Sequence, residues 1–235
     1  MTEAAVAFLR ARRRPLELVI FDCDGVLIDS EGLCDRVVAQ VLTDAGWPMT
    51  AEESGARFIG MSFHAMQPIA EARLGRSLGR DWVDRVVALV TAVMAREAEP
   101  VPGAREALQA ATALGVPWRI ASNSSHREMD AKFGRMGWLE LVSGRVHSAY
   151  DVIAQGGAGK PAPDLFLAAA AAEPAAPARC VVIEDSVHGV TAARAAGMDC
   201  LGFCPQGDGA SLREAGAVPF GSMHVLPDLL RVALA

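Results

Sequence analysis

Lysine is nearly absent from this chain. Among 22 basic residues only Lys132 and Lys160 are lysines; the rest are arginine. Arginine serves wherever a generic positive charge suffices, so a lysine here marks a place that needs a compact point charge. Cysteines are few and scattered: Cys23, Cys34, Cys180, Cys200 and Cys204 form no C-x-x-C pair. That spacing argues against a zinc or disulfide framework and fits reduced thiols in a cytoplasmic protein. No apolar run reaches the roughly 18 residues that a membrane span needs. Excess positive charge is missing too. The net charge of −6 speaks against general binding to nucleic acid or to a membrane surface. "MTEAAVAFLRARRRPLEL" lacks the order of a secretory signal, because its charges follow the apolar stretch instead of preceding it. Arg10, Arg12, Arg13 and Arg14 read as a solvated basic arm over residues 1–15, with an anionic partner as the alternative. Internal repeats are not found.

What is present is ample apolar material. At 235 residues and 51% hydrophobic, the chain can build one large domain, or a core with a small insert. "LELVIF" (16–21) reads as a first strand running into a glycine turn. From about residue 33 to residue 98 every segment has helical spacing and none is convincingly strand-like. After "EPVPG" the rhythm changes, and helical segments alternate with the short apolar runs "VPWRIAS", "GRVHSA", "ARCVVIE" and "MDCLGFC". Alternation of this kind predicts a doubly wound parallel sheet, a Rossmann-like α/β core, with helices on both faces. The expected division is 16–31 and 99–235 for the core, and 32–98 for an inserted α-helical cap. Within the insert, Trp47 and Trp82 are expected in its own core, and Gly60 at a helix break.

Open α/β sheets bind ligands outside the carboxyl ends of their strands. Polar residues collect at those positions. Asp22 and Asp24 follow "LVIF", Ser122 to Ser125 follow "WRIA", Glu184 and Asp185 follow "CVVI", and Lys160 lies in a glycine-rich loop closed by Pro161. Each alone is ordinary. A strand-end Asp is commonly a turn or helix-cap residue, and a serine run commonly caps. Together they place four carboxylates where they repel one another unless a cation intervenes. Oxygen donors of this kind suit magnesium, and Ser122 with Lys160 supplies the donors and positive charge that an anion requires. The set describes a phosphate-handling site.

At "FDCDGVLIDSE", "ASNSS", "GKPAPDLF" and "VIEDSVHGVTAARAAGM" the sequence resembles the haloacid dehalogenase-like hydrolase superfamily. It resembles most the subgroup with a helical cap after the first motif, which includes phosphoglycolate phosphatases and β-phosphoglucomutases. The resemblance implies Asp22 as nucleophile, Asp24 as general acid and base, and an aspartyl-phosphate intermediate. It implies magnesium held by Asp22, the Asp24 carbonyl and Asp185, with Glu184 as ligand or behind the ligands. Ser122, Asn123 and Lys160 would bind the phosphoryl oxygens. Asp24 argues for phosphoester chemistry, since dehalogenases lack an acid there. The lysine-free insert argues against phosphonatases. Cys34 stands where the mutases carry a histidine. A phosphatase of a small phosphorylated metabolite, as monomer or homodimer, is therefore expected before a sugar phosphomutase. A receiver-type signalling module shares an acid pocket and a lysine, but places the lysine last. Arg57 in the cap is the residue expected to meet a substrate anion.

Overall fold

The computed structural model describes residues 3–58 and 61–234, the side chain of Glu31 excepted. Gly60, expected at a helix break, lies outside the described residues. The chain divides into two compact units, Met1–Ile28 with Pro100–Ser125 and Val142–Ala235, and Asp29–Glu99 with His126–Leu141.

The first unit is built on a six-stranded sheet. In chain order its strands are β1 (Leu18–Phe21), β4 (Trp118–Ser122), β5 (Val146–Ser148), β6 (Cys180–Glu184), β7 (Asp199–Phe203) and β8 (Val218–Phe220). Across the sheet they run β5-β4-β1-β6-β7-β8, and every neighbouring pair is parallel. A separate two-stranded ribbon pairs β2 (Ile28–Asp29) with β3 (Glu99–Pro100). β1 and β6 are buried along their whole length, which is why they read as unbroken apolar runs and not as alternating patterns. Leu18 and Ile20 share one core face with Cys180, Val182, Leu165 and Phe166. On β1 the intervening Phe21 meets Trp118 edge-on at 6.3 Å. The buried Trp118 keeps its ring N–H satisfied by Thr112 Oγ1 at 2.9 Å, as a buried indole requires.

The helices of this unit are α1 (Glu3–Arg10), α6 (Ala104–Ala113), α9 (Ala149–Ala154), α10 (Asp164–Ala171), α11 (Val187–Ala195), α12 (Ala210–Ala215) and α13 (Leu226–Leu234). The segment expected as a solvated arm is therefore partly a helix. Its Ala5 and Leu9 are buried, and α1 packs on β8 and α13. Arg12 departs furthest from expectation: its side chain is only 5% exposed and ion-paired with Asp199.

Among the described residues the second unit is helical, apart from Asp29 and Glu99 at the ends of the ribbon strands. It contains α2 (Glu31–Asp44), α3 (Ala51–Phe58), α4 (Phe63–Leu74), α5 (Trp82–Glu97) and α7 (His126–Arg135), and the short α8 (Leu139–Val142) begins at its edge. Val83, Val86, Val90 and Met94 recur at helical spacing on α5, and all are buried, giving one continuous apolar stripe. Trp47 and Trp82 are buried as expected, with Trp47 edge-on to Phe58 at 6.0 Å. The insert boundaries of 32–98 miss one element, because α7 packs on α5 and clusters with the inserted helices. Its buried face includes Glu128 and Lys132 beside Met129 and Phe133, so its amphipathic pattern carries no record of the body it joins. Among the described residues no disulfide joins the five cysteines, and no helix is long and apolar enough to cross a membrane.

Candidate active site

The sheet order reverses direction at β1. The chain steps outward from β1 through β4 to β5, then returns to the other side of β1 with β6. Such a reversal splays the connections apart and opens a crevice at the carboxyl ends. Asp22 follows β1 and Glu184 closes β6, and the register Phe21↔Ile183 sets them side by side. Ser122 closes β4. Lys160 reaches the same crevice from the loop before α10.

Lys160 is the centre of the arrangement. Its Nζ donates to Asp22 Oδ1 and, at 2.6 Å, to Glu184 Oε1. Asp22, Lys160 and Glu184 are 7%, 9% and 1% exposed, so these charges meet with little water between them. Burial alone would lower the lysine, but the Asp22 and Glu184 carboxylates outweigh it and hold the ammonium well above its ordinary range. Asp22 shows the opposite balance. Burial pushes its carboxyl up to about 7 against the pull of Lys160, and Glu184 and Asp24 push in the same direction as burial. One ammonium does not neutralise this many carboxylates.

Both oxygens of Glu184 are engaged. Its Oε2 accepts from Asp185 N, Ser186 N and Ser186 Oγ, each at 3.0 Å, while Oε1 holds Lys160. Oε2 is thereby saturated, while Oε1, with Lys160 alone, keeps a lone pair free. Two glycines make the packing possible. A Cβ on Gly189 would lie 1.7 Å from Glu184 Oε1, and one on Gly25 would lie 1.8 Å from Asp185 Oδ2. Gly25 also has φ +75°, a conformation that other residues adopt only under strain. Asp22, Glu184 and Asp185 each bring one oxygen within 4.8 Å of the others. The donor set is all oxygen, partly buried and over-supplied with negative charge, which fits a hard divalent cation.

Asp24 is held from the other side. Its Oδ2 accepts from Ser124 Oγ at 2.9 Å and Ser122 Oγ at 3.3 Å. Asn123 does something the sequence did not suggest. Its Oδ1 accepts from Lys160 N at 3.0 Å and its Nδ2 donates to Lys160 O at 3.3 Å, so the amide clamps the lysine's main chain from both ends. Ser186 is the cap of α11, accepting from Gly189 N at 3.0 Å, as a serine ahead of a helix should. Ser148 donates to Ser124 O at 2.7 Å and ties β5 to the serine loop. Ser148, Ser186 and Gly189 are the contributors that sequence reasoning missed, and it places Ser124 at the strand end without a role. Gly189 alone left a trace, a glycine inside an otherwise helical pattern. Arg57 lies in the last turn of α3 in the helical unit, exposed, with its guanidinium 5.3 Å over the Trp47 ring.

A family model described as haloacid dehalogenase-like hydrolase matches residues 16–197. The 6-phosphogluconate phosphatase of Escherichia coli K12 is 29% identical over 215 residues, 91% of this chain and 94% of that protein. The phosphorylated carbohydrates phosphatase of Thermotoga maritima is 31% identical over 225 residues, 92% of this chain and all of that protein. Among solved structures, a HAD family hydrolase from Deinococcus radiodurans with bound phosphate and sodium superposes with a TM-score of 0.73. It is 34% identical and covers 94% of this chain and 97% of its own.

Proposed function

The chain belongs to the haloacid dehalogenase-like hydrolase family and is a phosphoric monoester hydrolase; from that premise we propose that it is a magnesium-dependent phosphatase of a small sugar phosphate or phosphoglycolate-like metabolite. The observation that carries the reading is the Lys160 bridge between Asp22 and Glu184, with Asp185 completing a carboxylate set that one ammonium cannot neutralise. The relatives support the substrate class, since the two named phosphatases act on phosphorylated sugars or sugar acids by their names.

Asp22 is the nucleophile. Lys160 fixes one of its oxygens, which orients the carboxylate toward an incoming phosphorus. Attack forms the Asp22 O–P bond as the ester P–O bond breaks. Asp24, steadied by Ser124 once Ser122 turns its single O–H to the substrate, gives its proton to the departing alkoxide. It then takes a proton from the water that attacks phosphorus, the Asp22 O–P bond breaks, and inorganic phosphate leaves. Ser122 and Lys160 donate to the phosphoryl oxygens, while Asn123 keeps Lys160 in place. Asp22, the Asp24 carbonyl and Asp185 would hold magnesium, with Glu184 holding Lys160 behind them. The ion would supply positive charge against the acids and the phosphoryl oxygens. Arg57 is the residue of the helical insert assigned to a substrate anion.

The test is phosphate release from p-nitrophenyl phosphate and a panel of phosphorylated metabolites, with and without magnesium, for wild type and Asp22→Asn. Magnesium-dependent release abolished by Asp22→Asn is the expected result. Release without added metal, or release that survives Asp22→Asn, would overturn the mechanism. Interconversion of sugar 1- and 6-phosphates without release would replace hydrolase by mutase.

A further inference from the structure

The opposite edge of the sheet carries a second cluster of charge that the hydrolytic site does not use. A cleft of about 320 Å³ opens there, lined by Phe8, Arg12, Arg13, Arg14, Gly197 and Asp199 among others. Gly197 precedes β7 and Asp199 is its first residue. The cleft therefore lies at the amino ends of the strands, about 15 Å of strand length from the carboxyl ends.

Arg12 is the informative residue. Its side chain is 5% exposed, and one terminal nitrogen is paired with Asp199. Its Nε and Nη2 are buried with no hydrogen-bond partner among the described residues. A guanidinium is always charged, and leaving its donors buried and unmade is costly. Arg13 and Arg14 line the same cleft. Three guanidiniums face one carboxylate, so two positive charges are left over. A phosphate monoester carries about −1.5 to −2 near neutral pH and presents several acceptor oxygens. A guanidinium fork is shaped to bind such a group through two nitrogens at once. The volume lies at the lower end of the range for small-molecule pockets, about 300–1,000 Å³.

We propose that the cleft formed by Arg12, Arg13 and Arg14 at the amino edge of the sheet is a second anion site, which binds a small soluble phosphorylated compound away from the hydrolytic centre. The bound phosphate competes with Asp199 for the Arg12 guanidinium, so occupancy loosens the existing tie between the segment after α1 and the start of β7.

The experiment is calorimetric titration of the wild-type protein with inorganic pyrophosphate, in EDTA at low ionic strength. Saturable binding is expected. Arg13→Ser/Arg14→Ser, which changes only exposed side chains, weakens it at least about tenfold, the loss that one charge-assisted contact represents. The same variant hydrolyses p-nitrophenyl phosphate with magnesium at the wild-type rate. Asp199→Asn removes the competing carboxylate and tightens binding, which a purely structural ion pair would not do. Ser122→Ala, which removes a phosphoryl donor of the hydrolytic centre, leaves the affinity unchanged. Absence of saturable binding, or an affinity indifferent to Arg13→Ser/Arg14→Ser, or one lost in Ser122→Ala, would overturn the proposal.

Discussion

Gly189→Ala is a small change with a large expected effect. The new methyl carbon would sit 1.7 Å from Glu184 Oε1 and 1.8 Å from its Cδ. Neither atom belongs to a freely moving chain end, because Oε1 holds Lys160 and Oε2 holds three donors of the Asp185–Ser186 turn. Glu184 must leave its place, and the Lys160 pair breaks with it. Breaking a buried ion pair from one side costs about 3–5 kcal/mol. Alanine returns up to about 1 kcal/mol through its better helix propensity. The net loss is about 2–4 kcal/mol, which for a chain of this size lowers the melting temperature by about 5–15 °C. Gly32→Ala is the control. That glycine is exposed near the start of α2, and a Cβ there meets nothing within 4 Å, so it should gain about 0.5 kcal/mol. Thermal unfolding followed by circular dichroism compares the two. If Gly189→Ala melts as high as Gly32→Ala, Glu184 does not sit in a tight cradle and its pair with Lys160 survives the added methyl.

Asn123→Ala removes both bonds to the Lys160 main chain and should lower kcat/KM for p-nitrophenyl phosphate by about 10- to 100-fold, equivalent to about 1.4–2.7 kcal/mol. An unchanged value would mean the lysine is held without the clamp. Asp35 in α2 is pushed up to about 6 by burial, above its ordinary 3.8. A carboxyl raised on folding favours the folded state at low pH, and that advantage disappears as pH rises from about 4 through 6. Asp35→Asn should therefore stabilise the protein more at pH 7 than at pH 4.5, measured as the difference in melting temperature from wild type. A difference that shrinks toward neutral pH would show that Asp35 is stabilised as an anion.

The parts of the fold legible in the sequence are those where burial is complete. "LVIF" and "CVVI" announce strands because both faces are covered, and the charges at their ends stand out against that background. The sixth strand left no such mark. "VPF" is three residues long with a proline inside, tolerable at a sheet edge and too short for any periodicity. Pairwise geometry was equally hidden. That Asn123 clamps a main chain, or that Glu184 holds both Lys160 and the Asp185–Ser186 turn, depends on loops folding back across the sheet. Arg12 misled for a related reason. A run of arginines reads as solvated because charge favours water, and the carboxylate that draws Arg12 inside lies 187 residues away.

The site's dispersal along the chain also bears on how the protein is made. Asp22 and Lys160 are separated by 138 residues. At the usual synthesis rate of about 5–20 residues per second, that interval is about 7–28 s. Through it the first strand is complete and apolar, while the strand that covers one of its sides has not been made. The emerging chain therefore carries an unpaired apolar strand ending in Asp22 and Asp24, with Lys160 not yet made. Parallel strands joined over such distances close slowly. Until β6 arrives, one side of β1 stays unpaired and the enzymatic centre does not exist.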